Sequence, residues 1–273
     1  MAVSRPRPAG PGSGDGRAYE TIPVDGGPHS VTVSRDGSRV YLTGVRTGQV
    51  TVLEPTLRRV AASFPVGASL YGVAVSPDGG RLYLADVHRS VLSVVAAADG
   101  AVLDETVLES RPFGLAVAPS GARVLVASPL EDAVRVVDGL GVPRGLLTGV
   151  DFTVGLALSP DGSVLYAGNY FAGTVSVLDA SGIGRLDGPA PAVRLGRVTV
   201  GRGPYGLAVS PDGGRLYVAH YPAGPVSVID TDERAVVGTI PAPDGPRGVA
   251  VSPDGAKLYV TACFADAVAV VEL

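Results

Sequence analysis

One turn phrase, Ser-Pro-Asp-Gly or a close variant, recurs six times along this chain of 273 residues. Its Asp falls at Asp36, Asp78, Asp161, Asp212 and Asp254, with Ser120 in the third place, at steps of 42, 42, 41, 51 and 42 residues. A period of this size marks an array of like supersecondary units. Each is too small to bury its own apolar face and becomes stable only when stacked on its neighbours.

Each unit reads as four short strands. In the fifth, Gly206–Val209 is followed by the turn Ser210-Pro211-Asp212-Gly213, where Pro presets φ and Gly accepts the positive φ of a tight hairpin. Arg215–Ala219, Val226–Ile229 and Val236–Ile240 supply strands two, three and four. No apolar pattern of period 3.6 runs for three turns, so almost no helix is expected. Evenly spaced short strands with Gly and Pro punctuation predict an all-β, six-bladed β-propeller. The chain stops after the third strand of unit six, Val268–Val271, and Thr21–Pro28 matches Thr239–Pro246 in character. The N-terminal strand is therefore expected to complete the last blade and close the ring, leaving no open seam.

The repeat makes residues 18–273 one domain, whereas residues 1–17, rich in Pro, Gly and Ser, are expected to be a disordered tail. That tail has no apolar stretch of the secretory kind and no membrane-spanning run follows, which predicts no membrane partner. The single cysteine, Cys263, excludes an internal disulfide and fits a cytoplasmic location. A net charge of −4 gives no support for nucleic acid as a partner. The long step between units four and five places an insertion around Ser181–Leu195, in the loop between strands three and four.

The phrases Ser210-Pro211-Asp212-Gly213-Gly214-Arg215-Leu216-Tyr217-Val218-Ala219 and Val226-Ser227-Val228-Ile229-Asp230 resemble the YVTN-type β-propeller repeat, over nearly all of the chain after residue 17. The resemblance implies the fold; the repeat type occurs in surface-layer, periplasmic and enzymatic proteins alike. A full ring of such blades is also similar to the streptogramin B lyase group, propeller enzymes that open a cyclic ester by metal-assisted elimination. No site motif is shared beyond the repeat.

Differences between repeats point to the working surface. Seven residues before each turn position, at the start of the innermost strand, stand His29, Tyr71, Phe113, Val154, Tyr205 and Arg247. These six should ring one mouth of the central channel. The loop from strand two to strand three opens on the same end, and its third position holds Gly44, Asp86, Ser128, Asn169, His220 and Ala262. In the YVTN-like pattern that position is commonly Asn, and only Asn169 keeps it. The following positions add Arg46, His88, Arg89, Glu131, Tyr170, Phe171, Tyr221, Cys263 and Phe264. All three histidines thus fall on one end, together with most aromatics outside the repeated strand-two Tyr. The turn Asp residues are explained by turn geometry and are assigned no function, and Asp132 reads as a solvated loop acid.

Apolar walls with a few convergent polar groups are what a small-molecule pocket requires. The leading expectation is an enzyme that performs acid–base chemistry on a small molecule: elimination, isomerisation or cyclisation. His220 is the first choice of general acid or base, with His29, His88 and Glu131 as further catalytic candidates. Arg247 is expected to stabilise developing negative charge. Tyr71, Phe113, Asp86, Asn169, Tyr170, Phe171, Tyr205, Tyr221 and Phe264 are expected to contact a substrate that is partly apolar or aromatic, with an anionic or carbonyl group. No cofactor motif is present. His29, His88, His220, Asp86 and Glu131 could ligate a divalent metal, but blades two and five are opposite each other, so only a subset could share one ion. The alternative is a non-catalytic module presenting the same face to a peptide or protein, since exposed aromatics and Arg also make interface hot spots.

Overall fold

The computed structural model describes residues 19–273; the expected tail over residues 1–17 lies outside them. The described chain forms six antiparallel four-stranded blades, with one extra strand added to blade three. Blade one is Pro28–Val33, Val40–Gly44, Gln49–Glu54 and Arg59–Pro65, and each later blade repeats this order from the channel outward. The innermost strands touch in succession around the ring, with blade six against blade one. Among the described residues, only two three-residue 3₁₀ turns interrupt the strands, Pro129–Glu131 and Ile183–Arg185.

The ring closes as the sequence predicts. Glu20–Pro23 pairs antiparallel with Ala267–Glu272 and sets Ile22 opposite Val268. Both are buried in a layer between blades six and one that includes Val24, Val31, Leu42, Leu53 and Tyr259. Every pair of neighbouring blades encloses such a layer, as with Tyr41, Val50 and Val52 against Leu70, Val73, Leu82 and Leu84. The repeated strand-two tyrosines, Tyr41, Tyr83, Tyr166, Tyr217 and Tyr259, are all buried in these layers. Each fully buried large apolar side chain contributes about 1.5–3 kcal/mol. The core is therefore distributed around the ring rather than central, and the channel is left for other uses.

The turn acids carry structure. Asp36 accepts hydrogen bonds from the Ser34 and Ser38 hydroxyls and the Ser38 amide, and these hold its carboxyl down at about pKa 2. Ser159 and Ser163 do the same for Asp161, also at about 2.

The insertion in blade four is not a plain loop. After the Ile183–Arg185 turn, Gly188–Pro191 pairs in parallel with Pro143–Thr148, the outer strand of blade three. The Gly- and Pro-rich composition hid a strand whose partner belongs to the previous blade. That partner offered an open edge of unpaired backbone groups, which the insertion satisfies.

Candidate functional site

The mouth positions converge. His29, Tyr71, Phe113, Val154, Tyr205 and Arg247 line one cavity at one end of the channel. Each opens the innermost strand of its blade and is followed by Gly72, Gly114, Gly155, Gly206 or Gly248, except in blade one, which has Ser30. A Cβ on Gly155 would run into the Tyr205 carbonyl of the next blade. Gly206 and Gly248 stand in the same relation to the carbonyls of Arg247 and His29. The glycines let the strands crowd together and keep the channel narrow. In blade one the corresponding carbonyl, that of Tyr71, accepts a hydrogen bond from His29 Nδ1 at 2.7 Å.

That bond decides the chemistry of His29. A carbonyl only accepts, so Nδ1 carries the hydrogen and the neutral ring presents Nε2 as its acceptor. The Tyr205 hydroxyl reaches Nε2 at 3.1 Å from across the channel and donates to it. Burial pushes the His29 pKa well below its usual value, and the Arg247 cation pushes it further, while the Tyr71 carbonyl opposes both. Burial raises the Tyr205 hydroxyl strongly, against the pull of Arg247. The resting pair is therefore a neutral imidazole accepting from a neutral phenol.

Arg247 completes the cluster. Its guanidinium lies over the Tyr221 ring at 3.9 Å and near the Tyr205 ring at 5.5 Å. Its Nε is buried without a hydrogen-bond partner. None of the ion pairs among the described residues includes it. A half-buried cation with no counter-ion is a place for an anion or a developing negative charge. Cys263 lies beside it, its thiol raised by burial against the lowering effect of Arg247.

Aromatic rings extend the site outward. Tyr71 meets Phe113 edge-on, and His29 packs against both Tyr71 and Tyr205. From Tyr205 one line of ring contacts runs through Tyr170 and Phe171 to Phe152, and another through Tyr221 to Phe264. The space enclosed at the mouth is small, about 60 Å³. The opposite part of the channel is wider, about 340 Å³, but its lining has no titratable side chain.

Several candidates lie elsewhere, and His220 is the main correction. It is buried at the end of blade five's second strand and absent from the mouth lining. Its Nδ1 donates to the Arg202 carbonyl at 2.9 Å, and its Nε2 accepts from the Ser227 hydroxyl at 2.8 Å. Both nitrogens are spent inside the blade, and burial holds the ring neutral. Asn169, in the same position of blade four, is fully buried and bonds Thr153, Thr174 and Ser176. Asp86 is fully buried too, accepting from the amides of Ala68, His88 and Arg89. The third loop position thus points into the blade and fastens it. The fastening partner was readable: Ser176 and Ser227 each stand seven residues after Asn169 and His220. His88 is exposed on its loop. Glu131 is engaged by Arg135 at 2.6 Å.

The metal alternative does not fit these residues. No group of three among His, Cys, Asp and Glu comes together among the described residues. The mouth offers one imidazole beside a guanidinium, and a cation would be repelled by the second.

Residues 132–264 match a family described as the SMP-30/Gluconolactonase/LRE-like region. This is a propeller family related in architecture to, but distinct from, the YVTN type that the repeat phrases resemble. No curated protein matches the chain. Among solved structures, the chain is similar to one of Kuenenia stuttgartiensis hydrazine synthase, with 20% identity and a TM-score of 0.73 over 92% of this chain and 97% of that one. It is also similar to the β-propeller domain of Myceliophteria thermophila Cps50 (Swd1), with 14% identity and a TM-score of 0.68 over 94% of this chain and 100% of that one. At these identities the likeness is one of fold and carries no function across. Among the described residues, no helix is long and apolar enough to cross a membrane.

Proposed function

We propose that the protein is a small-molecule enzyme that moves a proton beside a carbonyl or ester group at the channel mouth, by elimination, isomerisation, or opening and closing of a ring. The observation that carries this reading is the His29–Tyr205 pair at 3.1 Å beside the unpaired Arg247. Tyr205 contacts the substrate, or a water attacking it. Its oxygen takes a proton as its own hydrogen passes to His29 Nε2, so the phenol is never fully ionised. The Tyr71 carbonyl holds the imidazole in the accepting tautomer and favours the imidazolium that forms. Arg247 offers its N–H groups to the oxygen on which negative charge develops, in a partly dewatered site where such a contact counts for more than in water.

The match to a family whose description includes gluconolactonase supports a cyclic ester as the reacting group. A cytoplasmic setting fits the lone free Cys263 and belongs to the same proposal.

The test is turnover of a panel of lactones and cyclic esters, followed by release or loss of acid. Tyr205→Phe and His29→Gln should each lower kcat about 10²–10⁴-fold, the usual worth of a positioned acid or base. His220→Asn should retain turnover. Activity that survives in both Tyr205→Phe and His29→Gln would end this reading.

A further inference from the structure

Resting on that reading of the site, we infer that the substrate is a flat apolar ring system bearing one carboxyl group. Its ring lies outside the channel over blades four to six, and the carboxyl group, free or as the ester on which the mouth acts, enters to meet Arg247.

The first argument is size. Pockets that enclose a drug-sized ligand have about 300 Å³ or more. The mouth has about 60 Å³, room for a carboxylate or a few waters but not for a ring system. Only a small polar end of a substrate, a carboxylate or the ester that yields one, can pass between His29, Tyr205 and Arg247, so the apolar body must rest on the rim.

The second argument is the asymmetry of that rim. The first two loop positions after the fastening residue are Tyr170 and Phe171 in blade four, Tyr221 and Pro222 in blade five, and Cys263 and Phe264 in blade six. In blades one to three they are Val45 and Arg46, Val87 and His88, and Pro129 and Leu130. The ring contacts of the rim therefore form an arc over one half of the mouth, from Phe152 to Phe264, with Phe171 75% and Phe264 62% exposed. Exposed rings along a line of touching aromatics offer faces and edges to another ring. On the other half, Arg46 is already tied to Asp266 and Arg89 to Glu105.

The third argument is the placement of Arg247. Its guanidinium carbon lies 3.9 Å from the centre of the Tyr221 ring and its Nε is buried without a hydrogen-bond partner, so it has N–H capacity left for a ligand. An edge of two parallel N–H groups matches the two oxygens of a carboxylate. The guanidinium touches Tyr221 and neighbours Tyr205, which places the anion at the inner margin of the ring platform.

The chain contains no Trp, so a naphthalene probe can be excited and read without tryptophan background. The experiment titrates the protein into 2-naphthoate and, separately, into the neutral 2-naphthalenemethanol, following fluorescence anisotropy, with acetate as a competitor. The expected result is sub-millimolar binding of naphthoate, at least tenfold tighter than the alcohol, with acetate competing only at far higher concentration. Arg247→Met should bring acid and alcohol within threefold of each other. The double variant Phe171→Ser/Phe264→Ser, altering exposed rings only, should weaken both about fivefold or more. His220→Asn should change neither. Failure of naphthoate to bind, equal binding of acid and alcohol to the parent, or acetate competing as well as naphthoate would each overturn the inference. If lactone turnover persists and depends on Tyr205 and His29 while naphthoate fails, the substrate class is wrong and the catalytic reading stands. If naphthoate binds as expected but no turnover depends on Tyr205, the ring-and-carboxylate site stands and the catalytic reading falls.

Discussion

Replacing His220 with Ala separates a blade fastener from a catalytic base. The substitution strands the Ser227 hydroxyl, which is only 4% exposed and has Nε2 as its acceptor. Leaving one buried polar group unsatisfied costs about 1–3 kcal/mol. The bond to the Arg202 carbonyl is also lost; a typical net hydrogen bond is worth about 1 kcal/mol, and Arg202 is exposed enough for water to compensate in part. The volume vacated by the imidazole adds about 1–2 kcal/mol, below the range for a full Leu→Ala cavity. The sum is about 2–6 kcal/mol, which for a domain of this size lowers Tm by about 4–24 °C. His220→Asn should cost less, because its side-chain carbonyl can still accept from the Ser227 hydroxyl. It will not match Asn169, since Pro204 and Pro225 stand where blade four has Thr153 and Thr174. Thermal unfolding followed by circular dichroism at pH 7.5 reads both variants, with turnover measured well below the lower midpoint. A His220→Ala protein with parental Tm and no turnover would refute the reasoning, since it would put the imidazole in the chemistry and not in the fold.

Stability should also depend on pH through the two buried histidines. Both have folded pKa values lowered by burial, so below about 6.5 the unfolded chain takes up protons that the folded chain refuses. The stabilisation is complete above that pH and is lost as pH falls toward the folded values, by up to about 1.4 kcal/mol per pH unit for each group. A Tm series from pH 7.5 to 5 should slope downward, and His29→Gln/His220→Asn should flatten it. Gly155→Ala should destabilise by about 1–3 kcal/mol or more, because the new methyl meets the Tyr205 carbonyl and Leu207; urea denaturation checks this, with Gly184→Ala, which meets nothing, as the silent control. Ile22→Ala should cost about 2–5 kcal/mol by opening a cavity at the ring closure, read in the same assay.

The sequence carried the architecture because periodicity is a property of the chain itself. Counting back from the turn positions was enough to bring six residues to one mouth. What it could not carry was the direction of side chains at the ends of strands. His220 and His29 look alike as mouth-end histidines, yet one is turned into its blade and the other into the channel, and only the pleat decides which. The His29–Tyr205 bond joins residues 176 apart on blades that are not neighbours. It depends on how closely the glycine-lined inner strands approach, a distance that no periodicity encodes. The insertion was visible as an irregular step, but the edge it would pair with was not.

The strand that closes the ring sets a timing problem for synthesis. Glu20 pairs with Val270, so the closing strand leaves the ribosome about 250 residues ahead of its partner. At about 5–20 residues per second the wait is roughly 13–50 s. During that time the other blades can assemble in order, but the circle stays an open arc with an apolar layer on view at each end. Pro23 and the four-residue length of the waiting strand, Glu20–Pro23, make it a poor template for pairing with a neighbouring nascent chain. The same brevity that makes the closing strand a weak clasp also keeps it free until its own last blade arrives.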